Sequence, residues 1–442
     1  WRGPARVARG LVRLNASALA AASTVPAFGG CSSATCGPAV PPDTVAADDS
    51  VGDDVLRGWI LHEPAKLPYR VFEDYDRGGA EGRPGALEVL TVENGAFRLT
   101  VDPAHGGKVL SAEAKARPGR PARELLFRNP VFQPAALARL GAWTSGGIEW
   151  NWPRHGHSVF AAAPVYAAAV AAEGQELLRL YEFDRELNTT WQVDLWLPGE
   201  GTPVPEAGEA FWAHVRVENP NPHPVDVYWW TNVGVPASAS TRVLYPGGVA
   251  VSDRGPKGLY AHPFPWFSDD PSSGQSVVGN WSALATDHSY PRSFYQARET
   301  FVRYPPGQPP ARMWLASLDS ATGQGLLHEQ SKELDGRKYW VWGTDPGDAN
   351  RMDFLSSCEG PGRCRGSYLE VQAGVAPTQL QSFRLAAGAS LEWTEAFLAL
   401  DLEPAAVQGG YPEALRAGER RLGELLPRPA FEEAHAFLAR AA

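Results

Sequence analysis

Residues 86–103 read ALEVLTVENGAFRLTVDP. Two runs of alternating apolar and polar residues flank Glu93-Asn94-Gly95. Alternation sends successive side chains to opposite faces of a strand, and Asn-Gly supplies the left-handed backbone of a tight turn. The stretch therefore predicts an antiparallel hairpin. Similar runs recur down the chain, among them ELLRLYEFDREL, TTWQVDLWLPG, AFWAHVRVENPN, PVDVYWWTNVGV, KYWVWGTD, SYLEVQAGV and SLEWTEAFLAL. They are short, rich in β-branched and aromatic residues, and broken by Gly, Pro or Asn. No helix of convincing length alternates with them, which argues against a parallel α/β sheet and predicts an all-β sandwich. Helical spacing is confined to YPEALRAGERRLGELL and AFEEAHAFLARAA, with Pro427 and Pro429 between them. Residues 1–50 are rich in Ala, Ser, Gly and Pro, with room for one short helix in LVRLNASALAAA. The expected division is an irregular arm or linker over 1–84, a β-sandwich over 85–402 and a short helical tail over 403–442.

Composition narrows the function. With 50 acidic and 40 basic residues among 442, the net charge is −10, which offers no footprint for nucleic acid. No apolar run approaches the roughly 20 residues that span a bilayer. Four cysteines fall as two close pairs, Cys31 with Cys36 and Cys358 with Cys364, and sequons stand at Asn15, Asn188 and Asn280. Together they predict a secreted, disulfide-bearing glycoprotein. The long, sparsely charged arm is a candidate contact for an extracellular protein partner.

The densest chemistry lies in WTSGGIEWNWPRHGHS, residues 143–158. Trp143, Trp150 and Trp152 adjoin Glu149, Asn151, His155 and His157. Trp230 adjoins Asn232, and Trp340 and Trp342 follow Lys338. Indoles beside convergent polar groups suit a sugar ring, which stacks through its C–H face and needs hydrogen-bond partners for its hydroxyls. The alternative is plain core packing. Glu149 sits between Ile148 and Trp150. Glu370 lies on an apolar strand with Gln372 at the next same-face position. A carboxylate in such a setting is functional, or else paired, with Arg351, Arg365 or Lys338 as candidate partners. His155-Gly156-His157 has the spacing to hold a metal from an extended segment, but no third ligand is evident nearby, so acid or hydrogen-bonding roles are favoured. Neither a metal nor a cofactor is expected.

Five segments occur in order: GGKVLS, GAWTSGGIEWNWPRHGH, NPNPHPVDVYWWTNVGVP, GRKYWVWG and YLEVQAG. Over roughly residues 85–400 the chain resembles the domain of unknown function DUF5107, a relative of the galactose mutarotase-like (aldose 1-epimerase) proteins. The resemblance implies a galactose mutarotase-like β-supersandwich with a saccharide-binding face. Aldose 1-epimerases take the anomeric hydroxyl proton with a glutamate in a Leu-Glu-x-Gln strand, which Leu369-Glu370-Val371-Gln372 matches. Asn151 with His155-Gly156 is similar to the segment of their first histidine. At the place of the second histidine this chain has Tyr228-Trp229-Trp230-Thr231-Asn232.

Three functions are expected, in this order. The first is hydrolysis of a glycan by Glu370 and Glu149, assisted by His155 or His157. The second is epimerisation of a free sugar, with Glu370 as base and His155 as acid. The third is a non-catalytic glycan-binding or scaffold role.

Overall fold

The computed structural model describes residues 5–16, 27–28, 70–71, 83–253, 259–267, 286–344, 352, 355–356 and 367–442, apart from gaps at 130, 133–134, 139–140, 159, 162, 295–296, 306 and 308–309. Four residues expected to form disulfides, Cys31, Cys36, Cys358 and Cys364, lie outside the described residues. The sequon Asn280 lies outside them too. The hairpin read from 86–103 is present: Arg83–Glu93 pairs antiparallel with Phe97–Asp102. Asn94 makes the turn through its own side chain, Oδ1 accepting from the backbone amides of Ala96 and Phe97. A second hairpin, Tyr166–Ala172 with Gln175–Asp184, turns through Glu173 and Gly174, both with positive φ.

These strands build two sheets. The larger runs, edge to edge, Leu259–Pro263, Val249–Asp253, Arg298–Arg303, Gly336–Val341, Ser367–Gly374, Trp230–Ala237, Ile148–Asn151, Lys108–Ala114, Phe97–Asp102, Arg83–Glu93, Arg6–Ala16 and Val131–Phe132. The smaller has eight strands, with Ala210–Glu218 and Ser390–Asp401 at its middle. Ile148, Trp150, Val233, Val371 and Ala373 from the larger sheet join Val193, Val215 and Phe397 from the smaller in one buried core. The tail forms helices Tyr411–Leu425 and Arg428–Ala441, which pack on the other side of the smaller sheet. There Phe437 meets Trp196 at 4.8 Å and Phe431 meets Trp212 at 5.4 Å. The chain is thus three layers: sheet, sheet and helices.

The arm departs from expectation. Arg6–Ala16 is an eleven-residue strand in register with Arg83–Glu93 and parallel to Val131–Phe132, where a short helix starting at Leu11 had been expected. An available sheet edge satisfies its backbone, which a helix of so few residues in water does not do as well. The sandwich therefore includes residues N-terminal to 85.

Candidate active site

Backbone pairing brings four separated segments into one row. Glu149 lies opposite Asn232, Asn232 opposite Gln372, and Gln372 opposite Lys338. Side chains two apart share a face, so Asn151, Trp230, Glu370 and Trp340 point the same way. This face is turned away from the smaller sheet, because the intervening residues Ile148, Trp150, Val233 and Val371 fill the core.

Glycines shape the site. Gly146 and Gly147 have φ of +77° and +71°, and a Cβ on either would come within 2.4 Å of a backbone oxygen. The loop thereby folds tightly over Gly234, whose amide donates to the Gly147 carbonyl at 2.8 Å. On the neighbouring strands Gly336 and Gly374 leave the space in which the Trp230 indole lies, a Cβ at 374 meeting that ring at 2.3 Å.

Glu149 is held from all sides. Oε2 accepts from Trp143 Nε1 at 2.6 Å and lies 3.8 Å from Lys108 Nζ. Oε1 meets His157 Nδ1 at 2.6 Å and accepts from Asn151 and Asn232, both at 3.1 Å. Burial alone would raise its pKa. The charge and hydrogen bond of His157, the Lys108 ammonium and the Asn151 amide outweigh burial and keep Glu149 ionised. For His157 burial works against the charged ring, but the attraction and hydrogen bond of Glu149, helped by Glu370, leave its pKa raised. Its ring lies against Trp143 at 4.6 Å. Among the described residues its Nε2 has no protein partner, and the side chain keeps 22% of its exposure.

Glu370 has the opposite setting. Its Oε2 accepts from Gln372 Nε2 at 2.8 Å and from Asn232 at 3.1 Å. Among the described residues Oε1 accepts from no side chain. Burial and the nearby Glu149 charge raise its pKa, and His157, Lys338 and Lys108 only partly offset them. The same Asn232 nitrogen thus joins the two carboxylates, whose bonded oxygens lie no more than 6.2 Å apart, twice the shared 3.1 Å. The chain of bonds continues from Gln372 to Gln379 (3.2 Å), which with Glu299 (2.8 Å) holds the Lys338 ammonium. The partner of Lys338 is therefore Glu299, and Glu370 is no salt-bridge terminus for it. Arg351 and Arg365 lie outside the described residues.

The proposed sugar platforms separate. Trp150 and Trp152 belong to the core, each about 6 Å from Trp229. Trp230 is fully buried with Tyr228 and Phe301. Trp143 is buried too, and serves Glu149. None of the four offers a free face, because their alternate-residue spacing or loop packing spends the indoles on apolar contacts. Trp340 and Trp342 remain half-buried, set at 82° to one another beside Glu370. His155 packs toward Tyr228 at 5.9 Å, so of the two histidines it is His157 that enters the carboxylate cluster.

The residue reading did not assign Lys108, Tyr228, Glu299 or Gln379 to the site. Lys108, a cation just after Gly-Gly in an apolar strand, carried a usable signal; its burial lowers its pKa against the pull of Glu149, Glu370 and Asp102. Gln379 follows the last site strand in an irregular segment and had none. Among the described residues no group of three or more His, Cys, Asp or Glu is arranged for a metal ion.

Fold and site together define a two-sheet β-sandwich with a histidine–carboxylate cluster on its outward face. The model of the domain of unknown function DUF5107 matches residues 62–270. Among solved structures, a TPR-domain containing protein from Parabacteroides distasonis superposes with a TM-score of 0.63 at 17% identity, covering 93% of this chain. The chain spans 58% of that protein's length. A candidate aldose 1-epimerase from Escherichia coli K12 has a TM-score of 0.46 at 11% identity, covering 71% of this chain and 98% of its own. A galactose mutarotase-like protein from Lactobacillus casei has 0.44 at 9%, covering 70% and 99%.

Proposed function

We propose that this chain processes carbohydrate by moving protons at the anomeric centre of a free sugar, in the manner of an aldose 1-epimerase. Glu370 removes the proton of the anomeric hydroxyl while His157 Nε2 protonates the ring oxygen. The bond between the anomeric carbon and the ring oxygen breaks, leaving an open-chain aldehyde. Rotation about the adjacent carbon–carbon bond and reclosure then return both protons. The step is redox-neutral. The observation that carries this reading is the chain His157–Glu149–Asn232–Glu370, which links a histidine of raised pKa to a carboxylate whose Oε1, among the described residues, accepts from no side chain. Trp340 and Trp342 supply the half-exposed aromatic faces against which the sugar stacks.

Hydrolysis by paired glutamates is less well served. A general acid must release and regain a proton, and Glu149 is committed through both oxygens to groups that keep it ionised. The deciding measurement is proton NMR exchange between the α and β anomers of a panel of free aldoses, run beside product analysis on oligosaccharides. Faster anomer exchange supports the proposal. New reducing ends without exchange would replace it with hydrolysis, and glycan binding with neither would leave a binding module.

Placement outside the cytosol belongs to the same proposal. It rests on the exposed sequon Asn188 and on the sequence pairs Cys31 with Cys36 and Cys358 with Cys364. Intact mass before and after N-glycan removal tests the glycan. Thiol counting with and without reductant tests both disulfides, and four free thiols in protein from the native source would remove them.

A further inference from the structure

Directly behind the row Asn232–Gln372–Lys338 runs a second row on the inner face of the same strands, Thr231–Ala373–Arg337. Thr231 Oγ1 donates to Glu395 Oε1 at 2.7 Å, and Trp393 Nε1 donates to the same oxygen at 3.1 Å. The other oxygen, Oε2, lies 2.7 Å from His328 Nε2. Arg337 Nη1 lies 3.0 Å from His328 Nδ1, and its Nη2 donates to the His328 carbonyl at 2.9 Å. A guanidinium only donates, so Nδ1 accepts, and Nε2 carries the hydrogen that goes to Glu395. Thr231, His328, Arg337 and Glu395 are all fully buried, and the imidazole stacks on Phe397 at 4.4 Å. Burial and the neighbouring Arg337 push the His328 pKa down to about 4, which keeps this ring neutral.

Such a group is hard to explain by stability. Two buried ions and a neutral imidazole bind no better than apolar side chains of similar volume, and often worse. What they do supply is direction, since each hydrogen bond fixes a length and an angle between the two sheets. The residues they hold are immediate chain neighbours of the site: Thr231 precedes Asn232, and Arg337 precedes Lys338.

We propose that Thr231, Glu395, His328 and Arg337 form a positioning truss, which bolts the strands carrying Asn232 and Lys338 to the second sheet and so sets the surroundings of Glu370. The inference rests on Glu370 as the reacting carboxylate, but its test needs no sugar. The carboxyl carbon of Glu370 is followed by NMR in protein labelled at glutamate, assigned by its loss in Glu370→Gln, and titrated with pH. His328→Leu removes both side-chain bonds. His328→Gln keeps one acceptor and one donor. Thr231→Val removes the hydroxyl alone. In His328→Leu and Thr231→Val the Glu370 midpoint moves toward the ordinary carboxylate range by about half a pH unit or more, as water and charge rearrange around it. His328→Gln restores it. A role in stability alone would lower the unfolding midpoint of the leucine and valine variants yet leave the Glu370 titration where it was, and that result overturns the proposal. Should His328→Leu not fold, Thr231→Val decides. A normal truss response with no anomer exchange on any sugar would instead count against the function proposed above.

Discussion

Replacing Glu149 by Gln tests the organisation of the site most directly. The carboxylate now receives hydrogen bonds from Trp143, His157, Asn151 and Asn232 and balances Lys108. A glutamine of the same shape keeps one acceptor oxygen and turns the other into a donor that faces donors. It also removes the largest of the three carboxylate charges that attract the buried Lys108. Breaking a buried pair by removing one partner costs roughly 3–5 kcal/mol, and urea unfolding at neutral pH is expected to show a loss of that order. The pH dependence gives a sharper signature. The pKa of Glu149 is depressed, so its contribution is present above its ordinary value of 4.5 and is lost as pH falls through the depressed one. The pKa of His157 is raised, so its contribution is complete below its ordinary 6.5 and is lost as pH rises through the raised one. The pair therefore stabilises the fold most between about 4.5 and 6.5, and the stability difference between wild type and Glu149→Gln is expected to peak there. Without Glu149, burial governs the ring, and the His157 midpoint by imidazole NMR drops below its ordinary value. A His157 midpoint unchanged in a folded Glu149→Gln protein would refute this account of the site.

Glu370→Gln keeps the bonds from Asn232 and Gln372 but removes the proton acceptor. Anomer exchange is expected to fall about 10²- to 10⁴-fold with sugar binding nearly intact, and undiminished exchange would remove Glu370 from the reaction. The profile of kcat/KM with pH is expected to be a bell. It rises as Glu370 ionises above the ordinary carboxylate range and falls as His157 loses its proton above 6.5, so a flat profile from about pH 5 to 9 argues against this acid–base pair. Gly147→Ala meets the Val109 carbonyl at 2.3 Å in a left-handed conformation, whereas Gly156→Ala, at φ +92°, meets nothing within 4 Å. Thermal unfolding is expected to show the backbone strain of about 1–3 kcal/mol in both, with a larger loss at 147 alone.

Much of the molecule was legible before folding was considered. The hairpin at 86–103 was readable because turn chemistry and alternation are local properties of a few residues. The two tail helices were readable for the same reason, since Ala414, Gly418, Leu422 and Leu425 in the first and Ala430, Ala434, Phe437 and Leu438 in the second recur at helical spacing. Glu149 and Glu370 stood out because a carboxylate within an apolar strand is costly anywhere. The strand at 6–16 was not legible, because its stability comes from an edge supplied by residues about 75 positions later.

The tryptophans mark the boundary most clearly. Their number and their polar neighbours are properties of the sequence, and they drew attention to the strands that meet at Glu149 and Glu370. Which indole faces the core, which holds Glu149 and which stands free depends on strand register and on the glycines at 146, 147, 336 and 374. Alternation along one strand says that two faces exist, but only pairing with other strands decides which of them is covered. The roles of the carboxylates divide the same way. The sequence alone determined that two glutamates and a histidine are candidates for proton chemistry. The tertiary structure decided that Glu149 is held by Trp143, His157, Asn151 and Asn232, and that Glu370 Oε1, among the described residues, accepts from no side chain. The physical reason is that pKa and hydrogen-bond capacity are set by neighbours within a few ångströms, and here some of them, such as Asn232 beside Glu370, come from distant parts of the chain.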